Sequence, residues 1–411
     1  MHHCEGRGEP NTMSNVEAPL GLKNQSEHPR YGAKITTGGL KIPQAKPVWL
    51  PEMEEAALDA LRNDLILRGE NVAKFEEEFA RYVGTDHAVA VASGTAALQF
   101  ILSALAVEGR KVVTSPNSFI ASANAIIFAG GKPVFADISD DDYCLDSAEA
   151  VHQVEDGAAA LLPVHIYGHP FNLAGFEDMA KKRDTPIIED ACQAHGATYK
   201  GRKIGSLGVA AAFSFYPSKN MTVFGDGGMI TTDDKRVAAV ASKLRDCGRV
   251  SSYEHDVVGY TSRLSSASAA IGRVQLRHLD EWNEMRRRIA VSYTDRLADL
   301  AEVKTPPMGN NDFSPVFHQY VIRASTRDNL KSFLQDKGIQ CGIHYPIPIH
   351  LQPLYRQLYA MAEGSYPKSE KLSRECLSLP MHPYLSAEEV DFVCDLIREY
   401  YEKSPRSIGP S

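Results

Sequence analysis

The sequence predicts an α/β protein with a large domain built on a mostly parallel seven-stranded sheet and a smaller C-terminal α+β domain. Three observations predict this fold. Short, nearly all-apolar runs alternate with helical ones between residues 85 and 235, as expected for a sheet covered on both faces. Residues 273–298 contain no Gly or Pro and keep apolar residues at helical spacing, which predicts one long helix. Strand-like and helical runs then resume as far as residue 402.

The elements follow in order along the chain. The predicted strands of the large sheet are His87–Ala92, Val112–Ser115, Pro133–Asp137, Ala159–Val164, Pro186–Asp190, Ala211–Phe215 and Met229–Thr232. The predicted helices between them include Phe119–Ala129 and Leu173–Lys182. The C-terminal part should contain a strand over His318–Ala324, a helix over Asp328–Asp336, a strand-like run over Ile339–His344 and a helix over Ala387–Glu402. Because ligands bind beyond the carboxyl ends of parallel strands, residues just after each run are the first functional candidates.

The domain boundaries come from composition. The polar first residues, rich in Glu, Asn, Pro and Gly, predict a loosely ordered arm over residues 1–36. The large domain should then cover residues 37–300 and the small domain residues 301–411. The turn-rich loop Pro306–Ser314 lies near that second boundary.

Charge and cysteine content exclude several classes of protein. The chain has 411 residues and a formal net charge of −8, without a dense Lys/Arg block, which argues against nucleic acid or an anionic membrane as a partner. Seven scattered cysteines without a C-x-x-C motif favour reduced thiols and a cytoplasmic protein. Residues 88–107 carry no charge and imitate a membrane span, but Ser93–Thr95 interrupts them, so a strand, a turn and a helix are predicted instead. No signal peptide is visible near the N-terminus.

The strongest local signal surrounds Lys219. A predicted strand ends at Phe215, Lys219 follows four residues later, and the Gly-rich turn Gly225–Gly228 leads into the next strand. A Lys near an apolar strand end loses hydration, which disfavours its ammonium form and leaves a nucleophilic amine. Such an amine can form a Schiff base with an aldehyde cofactor. The alternative is an ordinary surface Lys in a turn, so its neighbours decide between the two.

Asp190 supplies the first of these neighbours, because it ends an apolar strand at the edge where a parallel sheet binds ligands. Pyridoxal 5'-phosphate (PLP) needs an acid that keeps its ring nitrogen protonated, and Asp190 is the candidate. Glu189 points to the other face and is predicted to be structural. A zinc site is the alternative for four nearby side chains, His165, His169, Cys192 and His195. No C-x2–4-C pair accompanies these side chains, so no metal is predicted.

The turn Ser93–Thr95 between a strand and a helix predicts a phosphate site. Gly94 allows a close backbone approach, Thr95 supplies a hydroxyl, and the N–H groups at a helix start favour a phosphate dianion. Such a turn is alternatively only a helix cap. Ser214 is a second hydroxyl candidate, and Phe119 either stacks on the cofactor ring or packs in the core. No G-x-G-x-x-G follows a strand to suggest a dinucleotide instead.

With these motifs the sequence resembles the DegT/DnrJ/StrS family of sugar aminotransferases, which are PLP enzymes of the aspartate-aminotransferase fold, fold type I. The resemblance runs from about Ile42 to Tyr401. The matching segments are Arg68–Glu76, Ser93–Leu98, Pro163–Gly168, Glu189–Ala197, Phe213–Lys219, His344–Pro353 and Leu377–Ser386.

The resemblance implies a role for each candidate residue. Lys219 would be the catalytic Schiff-base lysine, Asp190 would pair with the ring nitrogen, and Gln193 would lie near the 3-hydroxyl of the ring. The phosphate would be held by Thr95, Ala96 and Ser214, next to Gly94, and the ring would stack on Phe119. Four further residues are predicted substrate contacts: Tyr216, Arg263, His344 and Tyr345. The resemblance also implies a homodimer with active sites shared across the interface.

One segment departs from the family pattern. The family commonly has Gly-Tyr-Asn-x-Arg, whose Asn reaches the partner's cofactor phosphate, whereas this chain has Thr261 at that position within Gly259–Arg263. Ser266 and Ser268 also replace the usual acidic and Gln residues. A direct contact of Thr261 with the phosphate is therefore in doubt. Arg263 is retained, and it serves the substrate, the interface or a structural salt bridge.

The predicted function is transfer of an amino group from an amino acid, with glutamate as the expected donor, to a keto group of a nucleotide-linked sugar. Lys219 favours transamination, because some relatives replace this Lys with His and become sugar dehydratases. A PLP-dependent sugar dehydratase and a cyclitol aminotransferase remain alternatives with the same cofactor. A non-catalytic regulatory homologue is an alternative of a different class.

Overall fold

The computed structural model describes residues 42–403. Its helices are α1 (Pro51–Asn63), α2 (Glu70–Val83), α3 (Gly94–Ala104), α4 (Ala121–Phe128), α5 (Ser147–Glu155), α6 (Ala174–Arg183), α7 (Lys235–Leu244), α8 (Ser266–Leu297), α9 (Arg327–Asp336), α10 (Pro353–Tyr359), α11 (Pro367–Glu375) and α12 (Ala387–Lys403), with 3-10 turns at Ile166–Gly168 and Ile349–Leu351. The predicted arm over residues 1–36 lies outside the described residues.

Short strands alternate with these helices. The strands are β1 (His87–Val91), β2 (Lys111–Thr114), β3 (Lys132–Phe135), β4 (Ala160–Leu162), β5 (Ile188–Asp190), β6 (Thr198–Tyr199), β7 (Arg202–Lys203), β8 (Ala210–Ser214), β9 (Gly228–Thr232), β10 (Val303–Lys304), β11 (Phe313–Ser314), β12 (Tyr320–Ala324) and β13 (Cys376–Leu379). The apolar stretch 88–107 is β1, a turn and α3, as predicted. No helix within residues 42–403 is long and apolar enough to cross a membrane.

Seven strands form the large sheet in the order β1-β9-β8-β5-β4-β2-β3. The ladders link β1 to β5 and, separately, β4 to β3. Single parallel bridges, Leu161 to Ile187 and Val164 to Asp190, join the two groups between β4 and β5. Only β9 runs antiparallel to its neighbours, β1 and β8, within this sheet. The predicted mostly parallel seven-stranded α/β fold is therefore confirmed.

The C-terminal part forms a second layer of α+β structure. Strands β10, β12 and β13 make an antiparallel sheet, and α9 and α12 contribute to the hydrophobic core beside it. This core also takes Ile42 and the α8 residues Ile289–Leu297, so packing crosses residue 300. The predicted boundary at that residue stays a prediction. The run Ile339–His344 is not a strand, because Ile339 and Gly342 each make only one bridge.

Helix α8 is longer than its apolar pattern predicted. It begins at Ser266 rather than Arg273, with Ser265 as N-cap accepting from the Ser268 N–H. Gly272 suggested a helix boundary, but a Cβ at Gly272 would lie 2.7 Å from the Phe75 ring. The glycine therefore permits close packing of α8 on α2 rather than ending the helix.

Candidate active site

Three chain segments meet at one edge of the large sheet. These are the start of α3, the end of β5 and the end of β8. A Cβ built on Gly94 would lie 2.7 Å from the Cys192 Sγ and 2.9 Å from the Ser214 Cβ. Because those distances leave no room for a side chain, glycine is what lets the α3 N-terminus touch the two strand ends. This edge contains most of the site residues predicted from the sequence.

Lys219 lies in the turn after β8, and its backbone N–H donates to the Tyr216 carbonyl at 2.9 Å. The residue is half-buried. Loss of hydration lowers the pKa of its amine below the usual lysine value, and the nearby Cys192 and Asp190 only partly offset this. The amine is therefore easier to deprotonate than that of a surface lysine, which suits a nucleophile or a general base.

Three histidines surround Lys219 and are held neutral at pH 7. Burial, followed by the charge of Lys219, lowers the pKa of His195 to about 3 and that of His344 to about 4. The same two causes lower the pKa of His318 well below its usual value. The site therefore adds imidazole rings around the lysine without adding further positive charge.

Asp190 ends β5 and is 4% exposed. Its Oδ2 accepts from the Ser122 hydroxyl at 2.7 Å, and its Oδ1 accepts from the Cys192 backbone N–H at 3.2 Å. Ser118 lies 2.7 Å from Ser122 and extends this chain of hydroxyls. Two donors fix the carboxylate while each oxygen keeps a lone pair for a further donor.

Gln193 connects Asp190's strand to the two C-terminal substrate candidates. Its Oε1 accepts from the Tyr167 backbone N–H at 2.7 Å, and its Nε2 donates to the Tyr345 hydroxyl at 3.4 Å. The Tyr167 hydroxyl donates to the His344 carbonyl. Phe119 lies beside them, 55% exposed, with its ring centroid 5.9 Å from that of Tyr345. A large apolar ring that remains so exposed is available to stack on a ligand.

The start of α3 offers backbone donors to an anion. Ser93 caps the helix, and its hydroxyl accepts from the Ala96 N–H at 3.1 Å. The N–H groups of Gly94 and Thr95 have no acceptor within the helix, as in any first helical turn. Ser214 adds a hydroxyl whose oxygen lies 3.4 Å from the Tyr216 N–H. Of the predicted phosphate donors, Ala96 is thus the one already occupied by the cap.

The remaining candidates lie in two different places. Tyr216 follows Ser214 and is 54% exposed at the same edge. Arg263 instead pairs with Asp246 at 2.8 Å, in a cluster with Arg68 and Arg249. Among residues 42–403, Arg263 forms its ion pair with Asp246 and not with a residue of the group around Lys219. The structural salt bridge anticipated for Arg263 is therefore present.

A cavity of about 500 Å³ adjoins this arginine cluster. Its lining includes Arg68, Lys243, Arg249 and Arg263, with Asp246 among them. Thr261, which stands where the family has Asn, places its hydroxyl 3.5 Å from the Cys247 Sγ. Thr261 and Arg263 therefore contact the neighbouring residues Cys247 and Asp246 rather than Lys219.

Sequence reasoning missed three contributors to the site. Ser122 orients Asp190, and its only sequence signal is its position just after the Phe119 motif. Tyr167 lies in the family segment Pro163–Gly168, which predicted no role for it. His318 approaches Lys219 from the C-terminal region and carries no local signal, because its place depends on how distant segments pack.

The residues present fit PLP chemically. The edge combines a partly dehydrated amine, a fixed buried carboxylate, an exposed aromatic ring and the open N–H groups of a helix start. These are the groups needed to bind an aldehyde, a protonated ring nitrogen, a ring face and a phosphate. The close approach of Gly94 to Ser214 and Cys192 places the helix start beside the end of β8 and beside the residues that follow β5.

Comparison of the sequence with known protein families identifies the family of this chain. Residues 50–398 match the DegT/DnrJ/EryC1/StrS aminotransferase family. The chain belongs to this family. It is an aminotransferase of fold type I, as the sequence predicted.

Individual relatives cover most of the chain. A protein of Streptomyces venezuelae named dTDP-3-amino-3,4,6-trideoxy-alpha-D-glucose transaminase is 40% identical over 353 residues, which cover 86% of this chain and 93% of the relative. A pleiotropic regulatory protein of Geobacillus stearothermophilus is 39% identical over 353 residues, which cover 85% of this chain and 95% of the relative.

Solved structures agree with these relatives. The structure of DesV from S. venezuelae with a ketimine intermediate superposes with a TM-score of 0.84 at 39% identity, covering 88% of this chain and all of DesV. The PLP form of Spr1654 from Streptococcus pneumoniae gives a TM-score of 0.83 at 26% identity, covering 88% of this chain and 99% of that one.

Proposed function

We propose that this aminotransferase uses PLP to move an amino group from an amino acid, glutamate by preference, to the keto carbon of a nucleotide-linked sugar. The observation that carries the proposal is the placement of the partly dehydrated Lys219 amine near the buried Asp190 carboxylate, at the start of α3. The relative named as a dTDP-amino-sugar transaminase supports the substrate class.

Each residue then has a defined task. When bound, PLP would supply an aldehyde carbon that takes up the amino group and a ring that withdraws electrons from it. Asp190 would hold a proton at the ring nitrogen, Phe119 would cover one ring face, and Gly94, Thr95 and Ser214 would hold the phosphate. Gln193 would lie near the ring's 3-hydroxyl. Lys219 takes and returns the proton at its Nζ, which its lowered pKa assists.

The substrate contacts belong to two groups. Tyr216, His344 and Tyr345 line the edge beside Gln193 and Phe119, and we assign them to the amino-acid and sugar substrates. Arg263 is assigned to a site shared with a second subunit, because its contacts lie with Asp246 rather than with Lys219.

The exposed apolar surface supports a homodimer. Leu61 near the end of α1 is 61% exposed, and Leu65 and Ile66, between α1 and α2, are 70% and 72% exposed. Tyr253 and Val258, which precede Arg263, are 94% and 89% exposed. Large apolar side chains grouped this way are typical of protein interfaces. A two-fold interface here would cover both groups and bring Arg263 towards a partner's site.

Cytoplasmic location completes the proposal. Six cysteines within residues 42–403 are all free thiols, which favours a reducing compartment.

Removal of the lysine tests the function. The variant Lys219→Ala should lose the visible absorbance of lysine-bound PLP and slow formation of 2-oxoglutarate from glutamate by about 100-fold or more. Lys235→Ala, which changes an exposed lysine at the start of α7, is the matched control and should match the unsubstituted enzyme. Full turnover in Lys219→Ala would refute the role of the lysine. A purified protein that yields no 2-oxoglutarate from glutamate would instead favour the regulatory alternative.

A further inference from the structure

A second group of reactive side chains lies outside the Lys219 site. Asp142 and Cys144 follow β3, and His169 follows the 3-10 turn Ile166–Gly168. One carboxylate oxygen, the Sγ and one ring nitrogen of these residues all lie within 4.8 Å of one another. Cys144 and His169 are buried and Asp142 is half-buried. An acid, a thiol and an imidazole that converge in this way are typical metal-ligand types.

The His169 ring is held as ligating histidines usually are. Its Nδ1 lies 2.8 Å from the Pro170 carbonyl oxygen, so Nδ1 carries the proton and donates it, leaving a lone pair on Nε2. The ring also stacks on Phe313, with centroids 5.6 Å apart. A backbone carbonyl on the far nitrogen fixes the tautomer and the ring orientation in many metal sites.

Asp142 and Cys144 sit on one short turn. The Cys144 N–H donates to the Asp142 Oδ1 at 3.0 Å, which ties the carboxylate to the backbone of the cysteine. The Cys144 Sγ lies 3.8 Å from the His169 carbonyl oxygen, so the thiol faces the segment that carries the imidazole. The turn thus presents both ligand types to His169 without rearrangement of the backbone.

Zinc suits this set better than a hard cation, because a thiol and an imidazole are borderline-soft ligands. With zinc–ligand bonds of about 2.0–2.3 Å, tetrahedral ligand atoms stand about 3.5 Å apart. A pair of ligand atoms at the outer limit of 4.8 Å must therefore close by about 1 Å when the ion binds.

The surroundings supply a fourth ligand and favourable charge. A cavity of about 360 Å³ is lined by Asp142 and His169 and also by Asp141, Asp146 and Asn172. Water from this cavity can complete the coordination. The two additional carboxylates raise the local concentration of cations.

We propose that Asp142, Cys144 and His169 bind one zinc ion, with a water molecule as the fourth ligand. Binding releases the Cys144 thiol proton to solvent, so that a carboxylate and a thiolate balance the two charges of the ion. The role is structural: the ion links the segment after β3 to the segment that carries Tyr167, whose N–H and hydroxyl contact Gln193 and His344. Sequence spacing did not reveal the group, since His169 lies 25 residues beyond Cys144.

Zinc titration of the PLP-loaded full chain tests the proposal. The sequence His2-His3-Cys4 can itself bind zinc, so the parent protein carries His2→Ala, His3→Ala and Cys4→Ser. After removal of metal, zinc is titrated against a chromophoric chelator, and cobalt is added separately as a spectroscopic probe. The parent should bind one zinc ion per chain and show the visible bands of tetrahedral cobalt with a thiolate ligand.

Two variants and one control decide the outcome. Cys144→Ser and His169→Asn should each weaken zinc binding by about tenfold or more and abolish the rise in melting temperature that zinc gives the parent. Cys144→Ser should also remove the thiolate–cobalt absorption. Cys341→Ser removes a different buried thiol. It should leave the zinc affinity, the rise in melting temperature and the cobalt absorption unchanged. If the two buried variants do not fold, Asp142→Asn, at a half-buried position, replaces them and should weaken zinc binding in the same way. A parent that binds no zinc, or equal affinity in Cys144→Ser and Cys341→Ser, overturns the proposal.

Discussion

Replacement of Glu189 by Gln should destabilise the fold strongly although it changes only one atom of the side chain. The carboxylate is fully buried and accepts three backbone N–H groups: Gly205 at 2.9 Å, Leu207 at 2.7 Å and Gly208 at 2.9 Å. It also lies 3.1 Å from the His165 Nε2. The His165 Nδ1 accepts from the Phe171 N–H, so Nε2 is the protonated nitrogen and donates to the carboxylate.

Either orientation of a glutamine leaves two donors without an acceptor. An amide NH₂ placed at the Oε2 position faces the Gly205 N–H and His165, and one placed at the Oε1 position faces the Leu207 and Gly208 N–H groups. Each buried donor without a partner costs about 1–3 kcal/mol. The free energy of unfolding should therefore fall by about 2–6 kcal/mol.

Urea unfolding at equal protein and PLP concentrations, followed by circular dichroism, measures this change. Glu77→Gln is the control, because Glu77 is exposed and pairs only with Arg81 one helical turn away. It should cost less than about 0.5 kcal/mol. Equal unfolding free energies for the two variants would refute the reasoning.

The effect should also depend on pH. Burial raises the pKa of Glu189, but the hydrogen bonds from His165 and the backbone outweigh it and leave the pKa below its usual value of 4.5. A carboxylate with a lowered pKa stabilises the fold above its unfolded pKa, and this contribution is lost as the pH falls through the folded pKa. The difference between the native protein and Glu189→Gln should therefore shrink when the pH is lowered past about 4.5.

Two further predictions concern the proposed cofactor and dimer. Phe119→Ala removes the exposed ring beside Tyr345 and should weaken PLP binding about two- to tenfold, as measured by fluorescence titration, whereas Phe119→Tyr should bind normally. Unchanged affinity in Phe119→Ala would mean that the ring does not stack. Ile66→Glu places a charge in the exposed apolar group and should shift sedimentation towards monomer at micromolar concentration, while Val291→Glu, at an isolated exposed position on α8, should not. Equal sedimentation of both variants would place the interface elsewhere.

The sequence predicted the large sheet well because its strands carry a strong local signal. Each buried strand is a short apolar run bounded by turns, and all seven appear within a few residues of their predicted bounds. The same strand ends drew attention to Asp190, which ends β5, and to Lys219, which lies in the turn after β8. The sequence also predicted a structural role for Glu189, which its four buried contacts support.

The features that the sequence did not predict depend on contacts between distant segments. The start of α8 was placed too late because Gly272 looks like a helix breaker, whereas the Phe75 ring occupies the space of its missing side chain. The strand expected over Ile339–His344 fails because only two of its residues find bridging partners. The pairing of Arg263 with Asp246, and the approach of His318 to Lys219, likewise have no local pattern that could reveal them.

Helix α8 ties the halves of the chain together. Its 32 residues span about 48 Å. Leu276 and Leu279 belong to the core that contains Phe75, while Tyr293 and Leu297 belong to the C-terminal core. Because α8 packs in both cores, it cannot kink sharply at its middle without breaking hydrogen bonds along its axis. Any tilt of the C-terminal layer over a bound sugar must then arise from gentle bending of α8 or from movement of the short connections at its two ends.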